Sequence, residues 1–332
     1  MPLRIAISIG DVNGIGPEVV LKTLTDLNLT GITPVILSSG EVVSFYSDLL
    51  NVPVPFHSVK NHHEIKDGVI NVVESYNGKE CSINPGELSR KGGKCAMLAV
   101  EKGIKLCLKG AADALVTAPI SKEAVNLAGY NIPGHTEFLA DKTGCRDYMM
   151  MLVNDGLRVG LATIHVPLSK VVSHLSEASV LRYIRIMHKS LTEDFGIEEP
   201  EIAVLGLNPH AGDGGVIGNE EITMIAPALQ KARFNDINVS GPFPADGFFG
   251  NRQYENYDGI LAMYHDQGLV PFKTLSFGKG VNVTAGLPII RTSPDHGTAF
   301  DIAGKNKADP SSFRQALNLA AKLAGIRKQQ TT

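Results

Sequence analysis

The chain contains 332 residues, of which 43% are hydrophobic and 20% are charged. This composition is typical of a globular protein and excludes a disordered or fibrous one. The formal net charge of −3 provides no basic surface for nucleic acid or an anionic membrane. No apolar run reaches the roughly 18 residues that a membrane helix requires. We therefore expect a cytoplasmic protein with small-molecule or protein partners, whose four scattered cysteines are all reduced.

Short apolar segments alternate with amphipathic ones along the chain. The apolar segments predict strands at residues 4–9, 33–37, 114–117, 158–164, 201–207 and 259–263. The first helix is predicted to begin near Pro17, because proline suits an opening helical turn and apolar residues recur at helical spacing from Val19 to Leu27. Such alternation favours an α/β fold in which helices cover both faces of a mainly parallel sheet.

Three of the predicted strands are each followed closely by a histidine, namely His165, His210 and His265. Ligands of open α/β sheets gather beyond the carboxyl ends of the strands. Three imidazoles can hold one divalent metal ion and leave coordination positions for a substrate, and nitrogen ligands favour zinc or cobalt over magnesium. Each histidine alone is better explained as a polar residue at a strand end. The pattern predicts a shared metal site, but spacing does not establish that the side chains converge.

Other polar residues are suited to binding a substrate. His135 and Thr136 lie in a polar cluster that is also typical of a helix start, with Thr136 as a cap. Lys273, Asn282 and Arg291 supply two cations and an amide, a set suited to an anionic group such as a phosphate ester. Solvation at the surface is the alternative explanation for each of these three.

Two carboxylates and one amine are candidates for proton transfer. Asp246 and Asp266 precede and follow His265 in the sequence, and either can orient a ligand, hold a cationic substrate group or accept a proton. Lys273 is the third candidate catalytic residue, and the sequence does not assign the roles.

A glycine-rich segment at residues 10–18 follows the first strand and opens the first helix. Backbone amides at such a position can bind an anion, but the spacing is not that of a dinucleotide-binding fingerprint. A second glycine-rich segment, at residues 211–218, is interpreted as a flexible turn. Neither segment identifies a function by itself.

Several segments together resemble one known family, that of 4-hydroxythreonine-4-phosphate dehydrogenase in pyridoxal phosphate biosynthesis. The segments are residues 14–18, 134–138, 206–212, 262–268, 291–293 and 295–299. The resemblance extends over nearly the whole chain, with Val12 and Asn13 standing where the family commonly has Pro and Ala. It implies metal ligands at His165, His210 and His265. It also implies substrate contacts at His135, Thr136, Lys273, Asn282 and Arg291.

The family is similar in fold to isocitrate and isopropylmalate dehydrogenases. The resemblance therefore implies two α/β/α domains with mainly parallel sheets, an active site in the interdomain cleft, and a homodimer whose active sites are shared between chains. We expect a cofactor-side domain at residues 1–125 plus 266–332, and a second domain with the dimer interface at 126–265. The segment 296–305 resembles the adenosine-binding loop of those relatives. This likeness implies NAD contacts at His296, Gly297, Thr298, Ala299, Asp301 and Ile302.

The implied activity is a metal-dependent, NAD-linked oxidation of 4-phosphooxy-L-threonine to 2-amino-3-oxo-4-phosphooxybutanoate. Decarboxylation to 3-amino-2-oxopropyl phosphate then follows. One divalent metal per site is expected, with zinc first and cobalt or magnesium as alternatives. Two other functions stay open: a dehydrogenase of a phosphorylated four-carbon sugar acid, such as phosphothreonate or phosphoerythronate, and a homologue that binds ligands without turnover. NAD is expected over NADP, because the carboxylate of Asp301 can bind ribose hydroxyls and repels a 2′-phosphate.

Overall fold

The structure is a computed structural model that describes residues 2–132 and 134–330. The chain folds into two compact units. Unit 1 comprises Met1–Cys145 and Pro288–Gly325, and unit 2 comprises Arg146–Leu287 and Ile326–Thr332. No helix in the described part of the chain is both long enough and apolar enough to cross a membrane.

Unit 1 is built on parallel strands with helices between them. In spatial order the strands are β3 (His57–Val59), β4 (Asn71–Glu74), β2 (Ile32–Ser38), β1 (Leu3–Ser8), β5 (Ala114–Thr117) and β12 (Ile290–Pro294). The helices are α1 (Gly16–Thr25), α2 (Gly40–Leu50), α3 (Arg90–Leu108), α4 (Lys122–Leu127), α5 (His135–Thr143) and most of α11 (Ser311–Gln330). The central strands β1 and β5 are mostly apolar, and all of β5 and the last four residues of β1 are buried, as expected for strands covered on both faces.

Unit 2 contains a mixed sheet. In spatial order its strands are β11 (Val281–Ala285), β6 (Met149–Asn154), β7 (Leu157–Leu161), β10 (Gly259–Ala262), β8 (Ile202–Leu205) and β9 (Val239–Phe243). Strands β11, β6 and β7 pair antiparallel, whereas β7, β10, β8 and β9 pair parallel. The helices are α6 (Val171–His174), α7 (Glu177–Glu193), α8 (Ala226–Phe234), α9 (Ala245–Gly250) and α10 (His265–Ser276).

The predicted fold class is confirmed, and each of the predicted strands is present as β1, β2, β5, β7, β8 or β10. The unit boundaries differ from the expected domain boundaries. Residues 126–145 belong to unit 1, and residues 266–287 belong to unit 2, where β11 pairs with β6. The helix predicted near Pro17 begins at Gly16.

The prediction that all four cysteines are reduced is wrong for two of them. Cys81 and Cys95 form a disulfide within unit 1, joining the chain before α3 to the second turn of that helix. The two cysteines are 14 residues apart in sequence and show no Cys-x-x-Cys pattern, so only tertiary proximity reveals the pair.

Candidate active site

Two of the predicted metal ligands follow neighbouring strands of unit 2. His165 follows β7, and His265, the first residue of α10, follows β10; these two strands pair in parallel. The pairing continues beyond the strands, since Thr163 donates from its backbone N and its Oγ1 to the carbonyl oxygen of Met263 at 3.2 and 2.8 Å. The imidazole rings of His165 and His265 consequently lie with their centroids 6.0 Å apart.

Neighbouring side chains orient His265. Its Nδ1 lies 2.7 Å from Oδ1 of Asp266, which leaves Nε2 as the nitrogen available to an electrophile. Gln267 fixes the start of α10, because its Oε1 accepts from Met263 N at 2.7 Å and its Nε2 donates to Gly206 O at 2.6 Å. This amide ties the end of β10 to the end of β8. The sequence alone does not predict this contact, because the order of the strands in the sheet must be known first.

His210 lies in a left-handed turn after β8. Each residue from His210 to Gly214 has a positive φ, between 44° and 80°. Such backbone costs roughly 1–2 kcal/mol for each residue that carries a Cβ. The buried carboxylate of Glu221 offsets this cost, because Oε1 accepts from Leu207 N and Asn208 N at 2.7 Å and Oε2 accepts from Asn208 Nδ2 at 2.9 Å. The segment at residues 211–218, which the sequence analysis interpreted as a flexible turn, is therefore held by the hydrogen bonds of Glu221 to the two residues Leu207 and Asn208 that precede the turn.

Of the three predicted histidines, the structure brings His165 and His265 together. The spacing of the His165 and His265 rings and the carboxylate on His265 suit a transition metal ion such as zinc. Among residues 2–132 and 134–330, however, no group of three His, Cys, Asp or Glu side chains is arranged to hold a metal ion.

A cavity of ≈ 360 Å³ lies beside His265, and both carboxylates and apolar residues line it. It is lined by Ala245, Asp246, Phe249, Tyr264, Asp266, Gln267, Val270 and Pro271. Asp246 and Asp266 are both exposed, so that their charge is available to a ligand. A cavity lined by carboxylates together with apolar residues suits a small ligand that carries a cationic group.

Unit 1 contains a buried cation. The side chain of Arg291 on β12 is 2% exposed, and its Nε and Nη2 donate to Oγ1 of Thr117 at 3.1 and 2.7 Å. Burial lowers the pKa of Arg291 to about 9, and the charge of Glu137 acts in the opposite direction. The guanidinium thus stays protonated at neutral pH in a poorly solvated position, where an anion gains most from pairing with it. Thr117 was not singled out in the sequence, although it ends a predicted strand.

His135 lies in the field of this cation. Burial, together with the charges of Arg291 and Lys122, holds its pKa well below the ordinary 6.5, so the ring is neutral at pH 7. Its Nε2 is buried and has no hydrogen-bond partner, which is expected of a group that meets a ligand. The predicted helix start is confirmed, but its cap is Gly134, and the buried Thr136 lies inside the first turn.

The remaining predicted substrate residues belong to unit 2. Lys273 is exposed on α10. Asn282 on β11 carries a buried Oδ1 that has no hydrogen-bond partner, a second orphaned polar atom among the predicted contacts. The structure thus assigns His135, Thr136 and Arg291 to one unit and Lys273 and Asn282 to the other.

The segment predicted to bind the cofactor forms an irregular loop before α11. His296 carries a buried Nε2 that has no partner, and its Nδ1 lies 3.2 Å from Gly297 O. Ala299 has a φ of 40°, Asp301 is exposed, and Ile302 is half-buried. The loop therefore contains a buried imidazole nitrogen without a hydrogen-bond partner and an accessible carboxylate, polar groups that suit a nucleoside.

Comparisons with known proteins agree on one family. Residues 31–320 match the sequence profile of the pyridoxal phosphate biosynthetic protein PdxA. A protein of Prosthecochloris aestuarii named 4-hydroxythreonine-4-phosphate dehydrogenase is 47% identical over 96% of each chain, and a protein of that name from Bacteroides thetaiotaomicron is 42% identical over 96% of this chain and 88% of its own length. The crystal structure of the Klebsiella pneumoniae enzyme of that name superposes with a TM-score of 0.89 at 38% identity, covering 98% of both chains.

Proposed function

The chain belongs to the family of the pyridoxal phosphate biosynthetic protein PdxA, and we propose that it is a 4-hydroxythreonine-4-phosphate dehydrogenase. In the proposed reaction, 4-phosphooxy-L-threonine transfers a hydride from C3 to NAD⁺ and loses the hydroxyl proton, which gives 2-amino-3-oxo-4-phosphooxybutanoate. This β-keto acid then loses carbon dioxide and takes up a proton to give 3-amino-2-oxopropyl phosphate.

The observation that carries the proposal is the buried, charged guanidinium of Arg291 beside a neutral His135. A phosphate offers acceptors to the donors of Arg291, and a neutral imidazole can donate to it from Nε2 without adding a charge. Thr117 holds Arg291 in orientation through two hydrogen bonds. The proposal assigns to these residues, with Thr136, the anionic end of the substrate.

Residues of unit 2 supply the other proposed functions. Lys273 and Asn282 bind further oxygen atoms of the substrate, consistent with the orphaned Oδ1 of Asn282. The carboxylates of Asp246 and Asp266, which line the cavity, pair with the substrate ammonium, which favours an amino acid over a sugar acid. Asp246, Asp266 and Lys273 are the candidate proton acceptors for the C3 hydroxyl.

His165 and His265 would hold a divalent metal ion, with Asp266 orienting the second imidazole. When bound, such an ion lowers the pKa of a coordinated hydroxyl and draws electrons from the adjoining carbon. We propose that a second copy of the chain supplies His210 as the third ligand, in keeping with the shared active sites that the family resemblance implies. The proposed protein is a homodimer with shared active sites.

Mixing inactive variants tests this sharing. His165→Ala mixed with His210→Ala should regain activity, because a mixed dimer contains one site with an intact histidine pair and an intact His210. His165→Ala mixed with His265→Ala is the matched control and should stay inactive, because both changes fall on the same pair. Recovery in the control mixture alone, or an active monomer by mass measurement, would overturn the arrangement.

The proposed cofactor is NAD, bound by the loop at residues 296–302. The exposed carboxylate of Asp301 is suited to the ribose hydroxyls and repels a 2′-phosphate. The buried Nε2 of His296, which has no hydrogen-bond partner, is a further group that can bond to the nucleoside.

A substrate panel tests the proposed function. NADH formation is followed with 4-phosphooxy-L-threonine, with dephosphorylated hydroxythreonine, and with phosphorylated threonate or erythronate, each with zinc, cobalt or magnesium. We expect 4-phosphooxy-L-threonine to be oxidised fastest and the dephosphorylated compound to be poor. Faster NADH formation from a sugar acid would transfer the assignment to the sister activity. Binding of NAD without NADH formation from any compound would indicate a non-catalytic homologue.

A further inference from the structure

The glycine-rich segment that opens α1 contacts another part of unit 1 instead of an external anion. Ile15 N donates to the carbonyl oxygen of Thr298 at 2.9 Å, and a Cβ on Gly14 would lie 2.9 Å from that same oxygen. Gly14 is therefore required for the close approach of the two segments. The amide of Ile15, which the sequence suggested for an anion, is used to hold the loop at 296–308.

The buried side of α1 holds the far end of this loop. Glu18 is fully buried, and its Oε1 accepts from Ala308 N at 2.7 Å and from Lys22 Nζ at 2.8 Å. Lys22 Nζ also donates to the carbonyl oxygens of Asn306 and Ala308 at 3.1 and 3.0 Å. One ion pair on a single helical turn thus binds three backbone groups of the loop.

A second segment packs on the loop at residues 84–86. A Cβ on Gly86 would lie 3.0 Å from Phe300 O, and one on Gly304 would lie 2.7 Å from Pro85 Cβ. Asn13 holds this second segment, because its Oδ1 accepts from Asn84 N at 2.8 Å. The loop is consequently supported both by α1 and by residues 84–86.

The Glu18–Lys22 pair is a poor device for stability alone. Burying a carboxylate carries a desolvation cost, and buried ion pairs are often replaced by apolar residues without loss of stability. Oε2 of Glu18 is buried and has no hydrogen-bond partner, so this cost is only partly offset. What the pair provides is directional hydrogen bonding to the loop backbone.

We propose that Glu18 and Lys22 are positioning residues that hold the loop at 296–308 in the shape that receives the adenosine part of the cofactor. The inference rests on the proposed cofactor. Glu18 acts through Ala308 and through Lys22, and it is assigned no contact with cofactor or substrate. The motif at residues 14–18 is thereby assigned a role in cofactor affinity.

The test uses the full-length protein with Lys22→Met, Glu18→Gln and the double variant Glu18→Met/Lys22→Met. The dissociation constant for NAD⁺ is measured by calorimetry, together with KM, kcat and the thermal midpoint. We expect the double variant to keep its thermal midpoint, to bind NAD⁺ at least about tenfold more weakly, and to raise the KM for NAD⁺ with little change in kcat. Glu18→Gln should be affected less, because the amide oxygen still accepts from Ala308 N.

The control is Asp26→Asn, which removes the carboxylate paired with Arg314 at 3.2 Å just beyond the end of the same helix. It should bind NAD⁺ as the wild type does. Wild-type affinity in folded Lys22→Met and in the double variant would overturn the proposal. If the Glu18 variants fail to fold, the affinity of Lys22→Met for NAD⁺ decides whether the proposal holds. Hydrogen exchange of amides 300–308, measured without cofactor, should be faster in Lys22→Met than in the wild type. Unchanged exchange would overturn the proposal about the loop. Failure of the wild type to bind NAD⁺ would instead refute the proposed function, and the exchange measurement would still test the loop.

Discussion

Replacing Arg291 with methionine removes the buried charge at nearly constant volume. The guanidinium of Arg291 is 2% exposed and is oriented by two hydrogen bonds to Thr117. If it makes two charge-assisted hydrogen bonds to the substrate phosphate, each contributes roughly 1.5–3 kcal/mol. Their loss should lower kcat/KM for 4-phosphooxy-L-threonine by about 10²- to 10⁴-fold.

The assay is a thermodynamic cycle over enzyme and substrate. Values of kcat/KM are measured for wild type and Arg291→Met, each with phosphorylated and dephosphorylated hydroxythreonine. The wild type should prefer the phosphorylated compound strongly, and Arg291→Met should lose most of that preference, giving a coupling energy of at least about 3 kcal/mol. Arg314→Met removes an exposed arginine of unit 1 and should leave the preference unchanged. An equal loss with both substrates would refute the assignment of Arg291 to the phosphate.

Three further predictions concern pH, the disulfide and the cofactor. The folded-state pKa of His135 lies well below 6.5, so the contribution of this residue to stability is present above pH 6.5 and is lost as the pH falls. Between pH 7 and pH 5, the melting temperature of His135→Asn should therefore fall less than that of the wild type. Parallel curves of melting temperature against pH would contradict this. Cys81→Ser opens the Cys81–Cys95 disulfide, whose cysteines are 14 residues apart, and should lower the free energy of unfolding by about 3 kcal/mol. Denaturant titration measures this change, and an unchanged midpoint would argue against a cross-link in solution. Asp301→Ala should raise the KM for NAD and reduce the ratio of kcat/KM with NAD to kcat/KM with NADP. A wild type that already prefers NADP would refute the role of this carboxylate.

The sequence predicted six strands correctly, because a parallel strand covered on both faces is a largely apolar run, but it did not predict β3, β4, β6, β9, β11 and β12. It also predicted the position of His165 and His265 at strand ends. That these two imidazoles are neighbours follows from the pairing of β7 with β10, and β8 and β9 intervene along the chain between those strands. Such a crossover leaves no trace in local sequence, so the convergence of the two histidines required the structure.

Other features depend on contacts between distant residues. The positive φ values from His210 onward and their support by Glu221 combine a strained backbone with a buried carboxylate, neither of which has a local signature. The sequence shows Thr117 only as an ordinary strand residue, and its role follows from the hydrogen bond that Arg291 donates to it in the structure. Glu18 reads as an acidic residue in the first turn of a helix, where it would favour the helix dipole, and its partner Ala308 lies 290 residues away.

The central claim is oxidation of 4-phosphooxy-L-threonine followed by loss of its carboxylate on the same enzyme. The most direct measurement follows NADH and released carbon dioxide together, with purified protein, NAD⁺, zinc and 4-phosphooxy-L-threonine. The account predicts one carbon dioxide for each NADH, with both products absent when either NAD⁺ or the phosphate group is omitted. NADH formation without carbon dioxide would contradict decarboxylation on the enzyme, and absence of NADH would contradict the proposed reaction itself.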